Sequence, residues 1–213
     1  MCGVLLSNYA SLSENLSSLK KRNYRGPDGT FLESFKGLYF GFNYLSITGS
    51  FKKSPQPYNF NGNKLLFNGE IYNYLILKNK YFPELDSDTC SDTQIISKMF
   101  SKYDFDECIQ QFEGMWSIIY YNHKDEKIYI SRDRLGIKPL FYYFRSKKFI
   151  LSSDLKVITD IKKIKKINIK HAKNFLKTGK LNHKKNTFFK DIFCAPPGPN
   201  GVINLKKKKL IFN

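Results

Sequence analysis

Seven short strand-like runs crowd the first 152 residues, with few helices between them. This spacing constrains the fold more than any other feature. Parallel strands need a crossover of about a dozen residues or more, usually a helix, so the chain is expected to form antiparallel sheets, stacked rather than wound. The runs are Gly3–Leu6, Leu38–Phe42, Lys64–Phe67, Trp116–Tyr121, Lys127–Ser131, Leu140–Phe144 and Phe149–Ser152. Asn122–Lys127 reads as a hairpin turn. In Asp92–Tyr103, Ile95, Ile96, Met99, Phe100 and Tyr103 share one helical face, and Ser91 or Asp92 can cap its start. Phe105, Cys108, Ile109 and Phe112 suggest a second, short helix, and residues 11–22 carry Leu12, Leu16 and Leu19 at helical spacing. The class is α+β.

After about Asp154 the chain turns lysine-rich. A helix is expected over Asn168–Leu176 with Gly179 as its C-cap, then a turn-rich stretch and a hairpin in INLKKKKLIF. The division expected is a domain over 2–156 and a lysine-rich connector over 157–213.

The net charge of +18 raises a nucleic-acid reading, but its distribution opposes one. Residues 161–213 hold fifteen Lys and one acid, leaving +4 for residues 1–160. The basic end lacks Arg, the residue suited to bidentate phosphate and base contacts. Weak adhesion to polyanions is expected, specific nucleic-acid binding is not. No apolar run reaches the length of a membrane span, and no basic region precedes Val4-Leu5-Leu6 as in a signal peptide. The four cysteines show neither a CxxC pair nor metal spacing, so reduced thiols and a cytoplasmic location are expected, with no metal.

Cys2 carries the first chemical signal. By position it reads as a small buried hydrophobe. It also reads as a nucleophile: removal of Met1 would set the thiol beside a free α-amine of pKa about 8, able to take its proton directly or through a water. Four more segments stand out. Arg25-Gly26-Pro27-Asp28-Gly29 is a tight turn. Leu66–Asn73 runs from a strand into Asn68-Gly69, which reads as an ordinary turn or as an oxyanion site built from the Asn amide and a Gly N–H at positive φ. Ser91-Asp92 sets a carboxylate at a helix start, as a cap or as a grip on a substrate ammonium. Ser131–Tyr142 is a charged turn between strands.

In this order and spacing, MCG, RGPDG, FNGEIYNY, SDTQII, FEGMW, RDRLGIKPLFYY and SSDLK resemble the class II glutamine amidotransferase domain. The likeness is nearest to the N-terminal glutaminase half of glutamine-hydrolysing asparagine synthetases. The tail, with Phe189–Gly198, resembles the connector into the synthetase half. The resemblance implies the N-terminal nucleophile hydrolase fold, with two stacked antiparallel sheets sandwiched between helices. It implies that Cys2 becomes residue one, attacks the glutamine side-chain amide, releases ammonia and leaves a γ-glutamyl thioester for water. It matches Asn68 and Gly69 to the oxyanion hole and Asp92 to the carboxylate that binds the glutamine ammonium. Arg25 matches a residue ordering the site, and Leu45, Ile47 and Glu70 match the glutamine pocket. His123, His171 and His183 fall in no shared motif, which leaves the terminal amine as base.

Two departures stand beside the likeness. Tyr44 occupies the place of the family's arginine, which grips the glutamine α-carboxylate. Charge-assisted hydrogen bonds contribute about 1.5–3 kcal/mol and neutral ones roughly 1, so glutamine binding weaker by about tenfold or more is expected. Lys52 or Lys53 could compensate. Second, the 213 residues contain no SGGxDS-like pyrophosphate loop. The chain alone is not expected to activate aspartate, and it needs no cofactor for glutamine hydrolysis; ATP and Mg belong to a synthetase domain or subunit. The partners expected are glutamine and such a synthetase. The alternatives are an inactive module of the same fold that docks to a synthetase, or an ammonia source for a modified sugar or cell-surface precursor.

Overall fold

The computed structural model describes residues 2–45, 55–88, 90–164, 166–180 and 185–212. In chain order, β1 (Gly3–Ser7), α1 (Leu12–Lys20) and a 3-10 turn (Asn23–Arg25) precede β2 (Gly29–Phe35) and β3 (Leu38–Tyr44). Then come β4 (Tyr58–Phe60), β5 (Asn63–Ile71), α2 (Tyr74–Tyr81), α3 (Asp92–Lys102) and α4 (Phe105–Gln110). The strands β6 (Gly114–Asn122), β7 (Lys127–Arg132), β8 (Phe141–Arg145) and β9 (Lys148–Ser152) follow, then α5 (Leu155–Lys162) and α6 (Ile169–Thr178). The last elements are β10 (Phe193–Cys194), β11 (Gly201–Asn204) and β12 (Lys209–Phe212).

The strands form two sheets, ordered β10-β8-β9-β1-β3-β2 (the first sheet) and β12-β11-β7-β6-β5-β4 (the second). Each strand pairing is antiparallel. Side chains alternate between faces, and both faces are covered. Val4, Leu6, Phe40 and Phe42 of the first sheet meet Leu66, Ile119, Tyr121 and Ile130 of the second in a shared layer. The other face of the second sheet, with Leu65, Phe67, Ile118 and Tyr120, packs on Ile95, Ile96, Met99, Phe100 and Phe105 of α3 and α4. The other face of the first, with Leu5, Tyr143 and Ile150, packs on Leu19 of α1 and Val157, Ile158 and Ile161 of α5. This is the expected α-β-β-α stack. Burial on both faces explains why these strands read as near-continuous apolar runs.

The seven expected runs lie in β1, β3 and β5–β9. Within the stretch expected as a connector, β10 pairs with β8, β11 pairs with β7, and β11 and β12 form the hairpin. Gly179 ends α6 at φ 67, as its C-cap assignment requires. Among the strands and helices without a sequence expectation are the two-residue β10, β2, β4, α2 and α5. β2 is an edge strand with half-exposed side chains. The three-residue β4 is the opposite edge. α2 exposes Leu75 and Ile76 while burying Lys78, so it has no clean apolar stripe. α5 begins beyond Asp154, whose carboxylate accepts from the Lys156 N–H, and buries Val157, Ile158 and Ile161 amid lysines.

Candidate functional site

Cys2 stands immediately before β1 and packs at the edge of the layer between the sheets. Its Sγ faces both backbone polar groups of one residue: the Leu45 N–H donates to it at 3.5 Å, and the Leu45 carbonyl accepts at 3.6 Å. Burial pushes the thiol above its ordinary pKa. The Leu45 N–H and the charges of Lys138 and Arg25 pull it back toward the thiolate.

The 3-10 turn carrying Arg25 is tied down by buried Asn43, whose Nδ2 donates to the carbonyls of Leu19 (3.1 Å) and Arg22 (3.0 Å). Gly26 then lies flat on β3; a Cβ there would come 2.4 Å from the Asn43 carbonyl carbon. That close approach, at an extended φ of -161, explains the glycine. It leaves Arg25 over residue 2, with Nη2 3.4 Å from the Cys2 carbonyl oxygen. The Arg25 Nε is buried with no hydrogen-bond partner. Tyr44 ends β3, and its carbonyl accepts from the Asp28 N–H at 3.1 Å.

Facing β1 across the layer, β5 brings up the second half of the site. The Asn-Gly pair is not a turn. Asn68 and Gly69 lie inside β5, and Gly69 does not adopt positive φ. Its glycine requirement is steric: a Cβ would fall 2.2 Å from the Met115 carbonyl oxygen and 2.7 Å from the Trp116 Cα. The cause is register. Trp116, opposite Gly69, turns its N–H and carbonyl away from β5 toward Asp133. The pair is therefore non-hydrogen-bonded and close, and the Gly69 N–H points off the other edge of β5. The neighbouring N–H groups on that edge are taken, Phe67 by Gln56 Oε1 at 2.6 Å and Ile71 by Asp92 Oδ2 at 3.2 Å. The Asn68 side chain lies on the inter-sheet face shared with Leu66. It is 2 % exposed, and its Nδ2 has no hydrogen-bond partner. The Ser117 Oγ, directly across on β6, is also unpartnered. A buried amide donor left open is unfavourable by about 1–3 kcal/mol, and here it stands beside a backbone N–H that has no partner among the described residues. Two such donors form a cradle for an oxyanion.

Asp92 is not the cap of α3. Ser91 is, accepting from the Gln94 N–H. Asp92, one residue in, reaches across to β5 through Oδ2 and accepts from the Thr93 N–H at 2.6 Å through Oδ1. Burial, with the nearby charge of Glu70, pushes its carboxyl up to about 6 against the opposing pull of those N–H groups.

The sequence signalled Ser131–Tyr142 without assigning roles inside it, and the structure supplies them. Asp133, 1 % exposed, accepts from the N–H groups of Ile137 (2.8 Å) and Lys138 (2.9 Å), closing the loop beyond β7. Arg132 donates to the carbonyls of Gly136, Lys138 and Ala195 and to the Cys194 sulfur, locking that loop to the segment before β11. Lys138 is thereby buried to 8 % exposure, with its charge acting on Cys2 and no carboxylate partner among the described residues.

The chain thus gathers Cys2, Arg25, Tyr44 and Leu45 on one sheet and Asn68, Gly69, Glu70 and Asp92 on and beside the other. Ile47, Lys52, Lys53 and His183 lie outside the described residues. His123 follows β6 at the end of the second sheet away from Gly69, and His171 packs on Phe188 beside α6. Among the described residues no group of His, Cys, Asp or Glu side chains could hold a metal, and no helix is long and apolar enough to cross a membrane.

A family model described as a glutamine amidotransferase domain matches residues 1–211. A protein named "Putative asparagine synthetase (glutamine-hydrolyzing) 2" from Methanocaldococcus jannaschii is 36% identical over 190 residues, 78% of this chain and 36% of that protein. The glutamine-hydrolysing asparagine synthetase of Mesocricetus auratus is 29% identical over 176 residues, 76% of this chain and 30% of its own length. The chain therefore spans about a third of the length of these curated relatives. The glutamine phosphoribosylpyrophosphate amidotransferase of B. subtilis, solved with ADP and GMP, superposes on 100% of this chain and 49% of its own at a TM-score of 0.69 and 13% identity, a likeness of fold.

Proposed function

The chain belongs to the glutamine amidotransferase domain family, and from that premise we propose that it hydrolyses glutamine to glutamate and ammonia with Cys2 as nucleophile. The observation that carries this reading is the unpartnered Asn68 Nδ2 beside the Gly69 N–H, which has no partner among the described residues, on the sheet across the layer from the Cys2 thiol. Asp92, ionised above pH about 6, receives the glutamine ammonium. Glu70 and the Leu45 backbone line the pocket. Once Met1 is removed, the Cys2 α-amine accepts the thiol proton. The thiolate attacks the carboxamide carbon, and its oxygen becomes an oxyanion between Asn68 and Gly69. Collapse expels ammonia, which takes the proton from the amine, and leaves the thioester. Water, deprotonated by the same amine, then releases glutamate. Lys138 and Arg25 hold the thiolate by charge.

Tyr44 supplies at most one neutral hydrogen bond to the α-carboxylate, so a high KM for glutamine is part of the reading. The ammonia serves an ATP-dependent synthetase of the asparagine type or a related amidation, by likeness to the longer relatives. A glutamine-shaped diazoketone tests the nucleophile. It should lose dinitrogen and form a thioether at residue 2, located by peptide mass spectrometry and blocked by excess glutamine. Labelling at Cys90, Cys108 or Cys194 instead would overturn the assignment.

A further inference from the structure

Two buried polar atoms of the second sheet, neither satisfied by any bond inside the fold, belong to residues that face each other across one strand pairing. They are Asn68 Nδ2 on β5 and Ser117 Oγ on β6. Because Trp116 turns its N–H and carbonyl away from β5, its neighbour Ser117 turns its own toward β5. Asn68 and Ser117 are then a hydrogen-bonded pair with both side chains on the inter-sheet face, and directly opposed side chains stand about 5 Å apart at Cβ. That face also carries Leu66 and Ile119. Ser117 is 0% exposed, set between Trp116 and Ile118 in the body of β6.

A hydroxyl buried without a partner is unfavourable, and alanine would fit the same strand without that cost. The surroundings decide what this hydroxyl can do. Arg132 faces Ser117 from β7. Its guanidinium is a donor only, and it is spent on the carbonyls of Gly136, Lys138 and Ala195 and on the Cys194 sulfur. Met115 and Ile119, two residues either way on the same face of β6, carry no side-chain oxygen. Glu70 shares the face of Asn68 but stands on the longer diagonal of about 7–8 Å. Asn68, directly opposite, is the nearest acceptor for the serine proton, through Oδ1.

We propose that Ser117 is a positioning residue of the oxyanion site: its hydroxyl donates to Asn68 Oδ1 and thereby turns Asn68 Nδ2 toward the carboxamide oxygen of glutamine. The proposal rests on the glutaminase reading and deepens it. A carboxamide has two ends of opposite polarity, exchanged by a half-turn about its last torsion, which is broad and two-fold. With nitrogen toward the substrate the amide stabilises an oxyanion, and with oxygen there it repels one. The serine proton, held at the far side, selects the first setting. As charge grows on the substrate oxygen, the amide is polarised from both ends, by the hydroxyl at Oδ1 and by the oxyanion at Nδ2, and each bond strengthens the other. Ser117 touches no reacting atom and acts through Asn68.

The test measures glutamate release by the chain with Cys2 verified as its first residue, by Ser117→Ala, by Asn68→Ala and by the double variant. Ser117→Ala should lower kcat about tenfold, the contribution of one neutral hydrogen bond, with KM within about twofold. The melting temperature should not fall, because the hydroxyl has no partner in the fold. In the Asn68→Ala background the same change should lower kcat by less than about twofold, since the amide it positions is gone. An aldehyde analogue of glutamine, which adds the Cys2 thiol across its carbonyl, reads the site without turnover, and Ser117→Ala should weaken its binding about tenfold. Unchanged kcat and aldehyde binding in Ser117→Ala, a loss that persists in full without Asn68, or a loss confined to KM or to melting temperature would overturn the positioning role. No release by the Cys2 chain would instead remove the glutaminase reading and this proposal with it, whereas release that Ser117→Ala leaves intact removes the positioning role alone.

Discussion

The Cys2 thiol sits astride the backbone of Leu45, accepting from its N–H at 3.5 Å and donating to its carbonyl at 3.6 Å. The two peptide groups that flank one Cα thus serve both protonation states of the sulfur. The N–H favours the thiolate and the carbonyl favours the thiol. β3 carries Leu45 to this position, and Tyr44, directly before it, stands where the family places a carboxylate clamp. On the proposed reading, nucleophile and α-carboxylate contact are therefore set by the same strand end.

Tyr44→Arg should lower the KM for glutamine by about tenfold, by replacing one neutral contact with a charge-assisted pair. Initial-rate kinetics decide it. An unchanged KM would mean that the α-carboxylate is held elsewhere.

Asn68→Ala should reduce kcat about 10²–10³-fold, the usual loss for one oxyanion donor, with little change in glutamine affinity. Because Asn68 Nδ2 has no partner in the fold, thermal stability should not fall by the amount expected for a buried hydrogen bond. A large fall in melting temperature with kcat retained would assign Asn68 a structural role.

Asp92 makes glutamine binding pH-dependent. Its carboxyl is pushed up to about 6, so it is neutral below that value and charged above it. In a Cys2→Ala variant, which removes turnover, calorimetry should give a constant dissociation constant above pH 6. Below pH 6 it should weaken about tenfold per unit. The sign for stability is the reverse. A carboxyl raised from about 4 in the unfolded chain contributes most below pH 4, and that contribution is lost as pH rises through 6. Above pH 6 the fold carries an ionised carboxylate ready for a cation. Dissociation constants flat down to pH 5 would remove Asp92 from the ammonium site.

Lys138→Met should move the pH profile of Cys2 alkylation by iodoacetamide upward, while Lys138→Arg should restore it, since the charge and not the shape acts on the sulfur. A profile unmoved by Lys138→Met would reduce Lys138 to a packing residue.

Much of the fold was legible because both sheets are buried on both faces, which writes strands such as β1, β6 and β9 as unbroken apolar runs. β2 escaped because an edge strand with half-exposed Phe31 and Leu32 alternates weakly. α2 escaped because it exposes Leu75 and Ile76 while burying Leu77 and Lys78, which leaves no clean apolar stripe. Asn68-Gly69 was read with the wrong geometry. Sequence sees Asn-Gly as a turn, whereas register made it a strand position packed against Trp116. Asp92 was read as a helix-start carboxylate, and only the three-dimensional pairing with Ile71 turns it toward β5. Lys138 had no legible role, since its burial comes from Asp133 and Arg132 folding the loop around it.

The central claim is that Cys2 is the nucleophile of a glutaminase. The direct measurement is glutamate release from glutamine by the purified chain whose first residue is verified by mass spectrometry as Cys2, beside the Cys2→Ala variant. The account predicts release by the first and none above background by the second, with both chains folded. Equal release from both would contradict it.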